Sequence, residues 1–257
     1  MIRLTYLLRC KSEMSRVDFQ KYWREIHGPL VAGHAHNLGV LRYVQVHTLE
    51  EGQIDPSAGP RGAMEQPYDG VEEFWWLRRE DLLSALDSSR GEAALQELVE
   101  DEAKFIDLPN SPLWFAYEYP QVNPSPENIV ATERSSLVKS YYPLKHLARL
   151  TLDEAQLYWR TVHGPFIRLL AASGQMKRYV QVHYYEDELE GAMRKARGTI
   201  AEPYTGHAES WRDRATAADT PEMAQFTKLA VEDERNFIDF KRSTRWLAKE
   251  WVFVDYR

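Results

Sequence analysis

The sequence predicts an α+β fold in which two tandem ferredoxin-like (βαββαβ) units pack sheet to sheet as an intramolecular pseudo-dimeric α/β barrel. Three observations support this prediction. Residues 20–47 and 156–183 align without a gap at an offset of 136. Each copy shows strand and helix patterns in the order strand, helix, strand, strand, helix, strand. A polar stretch punctuated by proline joins the two copies.

The repeat covers most of the chain. The offset of 136 also pairs residues 70–75 with 206–211, in the shared pattern Gly-x-x-Glu-x-Trp. After a four-residue change in loop length, residues 100–107 correspond to residues 232–239. Solenoid repeats are about 20–50 residues long, so a repeat of this length indicates two copies of one domain. We therefore predict a first domain at residues 1–120, a linker at 121–136 and a second domain at 137–257.

The first elements of each copy follow from local patterns. Ile2–Leu8 is a β-rich run, and Ser15 and Asp18 have the spacing of a capping box before a helix. That helix carries an apolar stripe at Phe19, Tyr22, Trp23 and Ile26. The sequence His27-Gly28-Pro29 is predicted to end or bend the helix, with Gly28 as a left-handed stop.

The remaining elements complete the unit. Residues 42–47 and 71–77 are predicted strands, residues 91–107 a second helix and residues 113–119 a fourth strand. The second copy repeats this order from a strand at residues 137–144. Because both helices lie on one face of each sheet, we expect the two sheets to cover each other's opposite faces.

Composition excludes several classes of protein. The chain has 257 residues, of which 44% are hydrophobic and 28% charged, as in an ordinary globular protein. A net charge of −7 argues against binding to nucleic acid or to an anionic membrane. Cys10 is the single cysteine, and no stretch of about 20 apolar residues occurs. We therefore expect a soluble, cytoplasmic protein.

Three motifs occur twice and in the same order. They are Tyr-Trp-Arg-x-x-His-Gly-Pro (22–29 and 158–165), Arg-Tyr-Val-Gln-Val-His (42–47 and 178–183) and the Gly-x-x-Glu-x-Trp strand. Together they resemble the EthD-like family, named for ethyl tert-butyl ether degradation, of the dimeric α/β-barrel superfamily. The resemblance covers nearly the whole chain and implies a pocket between each sheet and its helices. Its relatives include cofactor-independent monooxygenases, polyketide dehydratases or decarboxylases, and cyclases, so the fold constrains the place of a site more than its chemistry.

Strand alternation suggests which side chains would surround such a pocket. Tyr43, Gln45 and His47 share one strand face, which we expect beneath the helices near His27. We expect Glu73 and Trp75 on the same side, and a pocket in each copy. The candidate catalytic residues are His27, His163, His47 and His183. The candidate substrate-binding residues are Tyr43, Gln45, Glu73, Trp75, Trp23, Tyr179, Gln181, Glu209, Trp211 and Trp159.

These residue types suit proton transfer. An imidazole titrates near neutral pH and can serve as a general base or acid, while tyrosine and glutamine can donate hydrogen bonds to a developing oxyanion. A structural role is also open for each of these candidate residues. His27 would also fit a helix cap, His47 a buried hydrogen-bonded histidine, Glu73 an ion pair with Arg42, and the tryptophans a hydrophobic core.

We predict neither a metal site nor a cofactor. His27, His34 and His36 are close in sequence, but residues two apart do not share a helical face. No Gly-x-Gly-x-x-Gly motif occurs, and haem binding has only the analogy of the superfamily behind it. The copies also differ, since Asp69 corresponds to Thr205 and Val71 to His207. The sequence therefore leaves open whether both pockets are active.

The function predicted from the sequence is a cofactor-independent enzyme of degradative or secondary metabolism. Its substrate would be a hydrophobic, aromatic or polyketide-like small molecule, and its reaction oxidoreductase-like, in slight preference to a lyase. Two alternatives are a dehydratase, decarboxylase or cyclase in the same pocket, and a non-catalytic auxiliary protein that only binds the small molecule. The two copies are expected to pair within one chain, and further homodimerisation stays open.

Overall fold

The computed structural model describes residues 1–50, 56–124 and 129–257. The first copy follows the predicted order of elements, with an additional helix, α3, between its third strand and its long helix. Its elements are β1 (Ile2–Leu8), α1 (Arg16–Tyr22), a π-helical turn (Trp23–His27), α2 (Gly28–His34), β2 (Arg42–Thr48), β3 (Gly70–Trp76), α3 (Arg79–Leu86), α4 (Ser89–Phe105) and β4 (Leu113–Val122).

The second copy repeats this order and inserts a helix, α7, between its second and third strands. Its elements are β5 (Leu137–His146), α5 (Leu152–Tyr158), a π-helical turn (Trp159–His163), α6 (Gly164–Leu170), β6 (Arg178–Tyr185), α7 (Glu188–Arg197), β7 (Gly206–Asp213), α8 (Pro221–Glu234), β8 (Ile238–Asp239) and β9 (Trp246–Asp255). No helix in the described parts of the chain has the length and hydrophobicity needed to cross a membrane.

The strands form one closed barrel. The order around it is β1, β3, β2, β9, β5, β7, β6, β4 and back to β1. Each copy contributes four neighbouring antiparallel strands in the ferredoxin-like order, and the two sheets also join edge to edge through the β2–β9 and β4–β6 pairs. The predicted fold class is confirmed, and closure removes the exposed sheet edges that would otherwise attract other chains.

The barrel interior contains both apolar and charged side chains. Val44 and Val46 belong to its apolar cluster together with Val180 and Val182, as the strand alternation predicts. In its charged cluster, Arg3 donates to Glu73 at 2.6 Å. The cluster also contains Lys139, Glu209, Glu118 and Glu250. Buried charges need partners of the opposite sign, and each half of the chain supplies partners to the other.

The first helix of each copy does not end at its His-Gly-Pro sequence. Gly28 keeps right-handed helical angles (φ −56°, ψ −50°), so the predicted left-handed stop is wrong. Pro29 has no N–H to donate, and the chain accommodates it with a π-helical turn in which the Gly28 N–H donates to the Trp23 carbonyl. The second copy shows the same turn at Trp159–His163. A wider turn of this kind rotates the side chains that follow it.

Candidate active site

The π-helical turn points one histidine of each copy toward a carboxylate on the long helix behind it. His163 donates from Nδ1 to Asp233 at 2.6 Å, and His27 donates from Nδ1 to Asp101 at 2.8 Å. A tyrosine one turn earlier in the helix donates to each of the same carboxylates at 2.7 Å. A histidine held in this way keeps Nε2 for other partners, as in a catalytic dyad.

A cavity lies beside His163, between the second sheet half and its helices. Its volume, taken as the space open to the centres of water-sized molecules, is about 50 Å³. We call it the second-copy cavity. Its apolar wall consists of Leu144, Trp159, Ile167, Met176, Ala208, Phe226, Ala230 and Ile238. Its polar wall consists of Arg61, Ser140, Tyr142, His163, Tyr179, Ser210, Arg212, Thr227, Glu234 and Arg245. Such a mixed lining is typical of small-molecule sites.

One wall of the second-copy cavity comes from the first copy. Arg61 donates from Nε to Glu234 at 2.5 Å, and both side chains are buried. The equivalent contact in the opposite direction is made by Arg197 of the second copy, which donates from Nε to Glu102 of the first copy at 2.6 Å. These arginines were missed in the sequence. The repeat could have indicated them, because the offset of 136 pairs Arg61-Gly62 with Arg197-Gly198.

In the first copy, large side chains occupy the corresponding region. In the second copy, four of the cavity-lining residues are Ser140, Ser210, Arg212 and Arg245. The corresponding residues of the first copy are Leu4, Phe74, Trp76 and Leu113. These four side chains are buried in one continuous apolar core. The prediction of a pocket in each copy stays a prediction for the first copy, where large apolar side chains occupy these four positions.

A carboxylate completes the filling of the first copy. Glu72, which corresponds to Ala208, accepts hydrogen bonds from Trp23 Nε1 at 2.7 Å and Tyr43 OH at 2.8 Å, and lies 3.3 Å from His27 Nε2. Burial lowers the pKa of His27, but Glu72 and Asp101 outweigh it and raise that pKa to about 9. The pKa of Glu72 is lowered, since burial is outweighed by His27. The first copy thus holds an internal ion pair where the second has a cavity.

His47 and His183 lie apart from the cavity wall. Each stacks on the tryptophan of its own copy, with ring centroids 4.4 Å apart for His47–Trp23 and 4.5 Å apart for His183–Trp159. Each also donates from Nε2 to the glutamine two residues before it, Gln45 or Gln181. Burial lowers the pKa of His183 to about 3, so this ring stays neutral at physiological pH.

Four candidate residues face the other way from the prediction. Glu73 and Trp75, with their copies Glu209 and Trp211, lie inside the barrel rather than beneath the helices. The reason is strand register. Tyr43 is opposite Phe74, and Val44 is opposite Glu73, and directly opposed residues point to the same face. Trp75 and Trp211 donate from Nε1 to Glu118 and Glu250, each at 2.8 Å.

Among the described residues, two groups of histidine and carboxylate side chains have the spacing of metal ligands. They are His27 with Glu72 and Glu102, and Glu73 with His207 and Glu209. In the first group, Arg197 holds Glu102, and in the second, Arg3 and Lys139 contact the carboxylates. Protein cations therefore already stand against the carboxylates that a metal ion would need.

A family model described as the EthD domain matches residues 11–109 and 148–241. The conidial pigment biosynthesis dehydratase EthD of Metarhizium robertsii is 27% identical over 109 residues, which are 42% of this chain and 75% of the relative.

Solved structures share the architecture. An anthrone oxidase-like protein superposes with a TM-score of 0.62 at 11% identity, over 100% of this chain and 94% of the other. A protein of Fusobacterium nucleatum described as a monooxygenase gives a TM-score of 0.52 at 6% identity, over 98% and 93%. At such identities the likeness is one of fold alone.

Proposed function

Since the chain belongs to the EthD domain family, we propose that it is an enzyme that moves protons on a hydrophobic small molecule in the second-copy cavity. The observation that carries this proposal is the His163–Asp233 pair at the wall of that cavity. The apolar wall fits an aromatic or polyketide-like ring system, and the polar wall fits its carbonyl or hydroxyl groups.

The geometry gives His163 the role of general base and acid. Partial burial raises the pKa of Asp233, but hydrogen bonds from His163 and Tyr158 outweigh this and lower it. An ionised Asp233 fixes the tautomer with the proton on Nδ1, so Nε2 carries the lone pair. From Nε2, His163 would take a proton from a carbon next to a substrate carbonyl. The Tyr179 hydroxyl would donate to the enolate oxygen that forms.

Elimination of water is the outcome that we expect after proton removal. The support is the relative named as a dehydratase. In such a reaction a C–H bond and a C–O bond break, a C=C bond forms, and the protonated His163 returns its proton to the departing hydroxyl. The sequence favours oxidation over elimination by a small margin. Both reactions begin with the same deprotonation, and oxygen-dependent turnover would decide for the oxidoreductase.

The test is turnover of hydroxylated bicyclic and tricyclic ketones, with and without oxygen. We expect anaerobic loss of water, and a decrease of about 10²- to 10⁴-fold in kcat for His163→Asn. His34→Asn is the matched control, because His34 is a partly buried histidine of the first copy that pairs with Glu97. Binding without turnover of any compound would make the chain a ligand-binding protein. Full activity of His163→Asn would end the proposed mechanism.

A further inference from the structure

The two copies place the same three donors around the same point, but only one copy supplies an acceptor. In the first copy, Trp23 Nε1, Tyr43 OH and His27 Nε2 converge on one oxygen of Glu72. The Glu72 carboxylate is buried and is part of the chain itself. It therefore shows what kind of group satisfies this arrangement: an anionic oxygen in a largely apolar surrounding.

In the second copy the donors are retained and the acceptor is absent. Trp159, Tyr179 and His163 stand at the offset of 136 from the first three, and all of them line the second-copy cavity. The position of Glu72 is occupied by Ala208, whose methyl group also lines the cavity. The space that a carboxylate fills in the first copy is therefore open to a ligand in the second.

The hydrogen bonds of Tyr179 support this comparison. Its hydroxyl oxygen accepts from Trp159 Nε1 at 3.1 Å and from Gln181 Nε2 at 3.4 Å. In the first copy the equivalent Tyr43 accepts from Gln45 and donates its own proton to Glu72. Among the described residues, the Tyr179 hydroxyl has no hydrogen bond in which it is the donor. A buried hydroxyl with two donors aimed at its oxygen turns its proton toward the remaining direction, which is the cavity.

We propose that the second-copy cavity binds its substrate through an acidic oxygen, held where Glu72 stands in the first copy. The Tyr179 hydroxyl would donate to this oxygen, with Trp159 Nε1 donating in turn to Tyr179. His163 would donate from Nε2 once both of its ring nitrogens carry a proton. The substrate class is then an apolar ring system that carries a carboxylate, or a phenolate or enolate, near its buried end. This inference deepens the proposed function and rests on the same cavity, but it concerns binding and needs no turnover.

Matched probes test it by calorimetry. One pair is 2-naphthoate and its methyl ester, and the other is 2-naphthol and 2-methoxynaphthalene. We expect the acidic member to bind about tenfold more tightly than its neutral partner, since hydrogen bonds to charged groups are the strong ones. A preference in the first pair indicates a carboxylate, and in the second pair a phenolate or enolate. Equal affinity within both pairs would overturn the inference.

Substitution of the donor gives the sharper test. Tyr179→Phe should bring the acidic and neutral probes to within about twofold of each other, while affinity for the neutral probes stays near that of the parent protein. Tyr22→Phe is the control, because it removes a hydroxyl of the first copy that donates to Asp101. An undiminished preference in a folded Tyr179→Phe protein contradicts the inference, even where His163→Asn abolishes turnover.

A second variant covers the case in which Tyr179→Phe does not fold. Ala208→Glu rebuilds the first-copy arrangement and places a carboxylate on the three donors. Ala208→Gln fills the same volume without the charge. We expect the glutamate variant to weaken binding of the acidic probe at least about tenfold more than the glutamine variant, by like-charge repulsion and loss of the donors. Equal effects of the two variants would show that the space is filled but that no oxyanion site exists.

Discussion

The first and second copies of this chain have the same frame and opposite interiors. Both carry the π-helical turn, the His–Asp pair and the Trp–Tyr–Gln–His network on the neighbouring strand. Under the first-copy helices Trp23, Tyr43 and His27 surround Glu72. Under the second-copy helices Trp159, Tyr179 and His163 line a cavity. The same backbone and hydrogen-bond network can therefore enclose either a core or a cavity. The size of the side chains between the sheet and its helices decides which of the two forms.

The difference extends to the kind of residue at each position. Phe74 and Trp76 belong to the first core, and their counterparts Ser210 and Arg212 line the cavity. Each exchange replaces a large apolar group by a smaller or a polar one. The first copy gains apolar burial, and the second keeps space and hydrogen-bonding groups. A filled core and a cavity thus lie in the two halves of one barrel.

The largest expected effect separates the two histidines by their contribution to stability. His27→Asn removes the cation beside the buried Glu72 carboxylate, while Asp101 keeps Lys104 at 2.9 Å, so we expect the free energy of unfolding to decrease by about 3–5 kcal/mol. His163→Asn should decrease it by only about 1–2 kcal/mol, because its one carboxylate partner is partly exposed to solvent. Urea unfolding of both variants checks this. Equal decreases in the free energy of unfolding would mean that His27 and His163 contribute equally to stability, contrary to this prediction.

The next effect is the pH dependence of stability. The pKa of His27 is about 9 in the folded protein and 6.5 in an unstructured chain, so the folded state binds the proton more tightly. Its contribution is fully present below pH 6.5 and is lost as the pH rises to 9, by at most about 3 kcal/mol. Unfolding measured across this range should show the decrease, and His27→Asn should flatten it. A profile that is the same in both proteins argues against a charged His27.

The smallest effect concerns the tyrosines that hold the two aspartates. Tyr158 donates to Asp233, and Tyr22 donates to Asp101. Tyr158→Phe should lower kcat about three- to tenfold by loosening the carboxylate that orients His163. Tyr22→Phe should leave kcat at the parent value, since its partner lies in the filled copy. A comparable decrease from both changes would indicate that the first copy also takes part in turnover.

Much of the fold was predictable from the sequence because its evidence is local or repeated. The offset of 136 shows the duplication, and the strand and helix patterns give the order of elements. Two local predictions failed for physical reasons. Gly28 continues the helix because a π-helical turn absorbs Pro29. The long loops also hold helices α3 and α7, which are only 8 and 10 residues long and so fall below the length at which a periodic pattern distinguishes a helix.

The candidate site was predictable only in part. In the structure His27 and His163 end the π-helical turns, and Tyr179, Trp159 and His163 line one cavity. Glu73 and Glu209 were predicted on the wrong face of the sheet. Alternation along one strand shows which residues share a face, but it does not show which of its two faces also carries the tyrosine of the neighbouring strand. Whether His163 performs catalysis stays a prediction for the variants described above.

The sequence by itself determined that the chain is a duplicated ferredoxin-like unit and which residue types recur in each copy, because identity at a fixed offset needs no knowledge of contacts. The tertiary structure alone decided three other matters. They are the face on which Glu72 and Glu73 lie, the crossing of Arg61 and Arg197 between the copies, and the exchange of core side chains in the first copy for cavity-lining ones in the second. Each depends on strand register or on side-chain volumes that meet across the barrel. Such contacts join residues about 30–170 positions apart in sequence, beyond the reach of any local pattern.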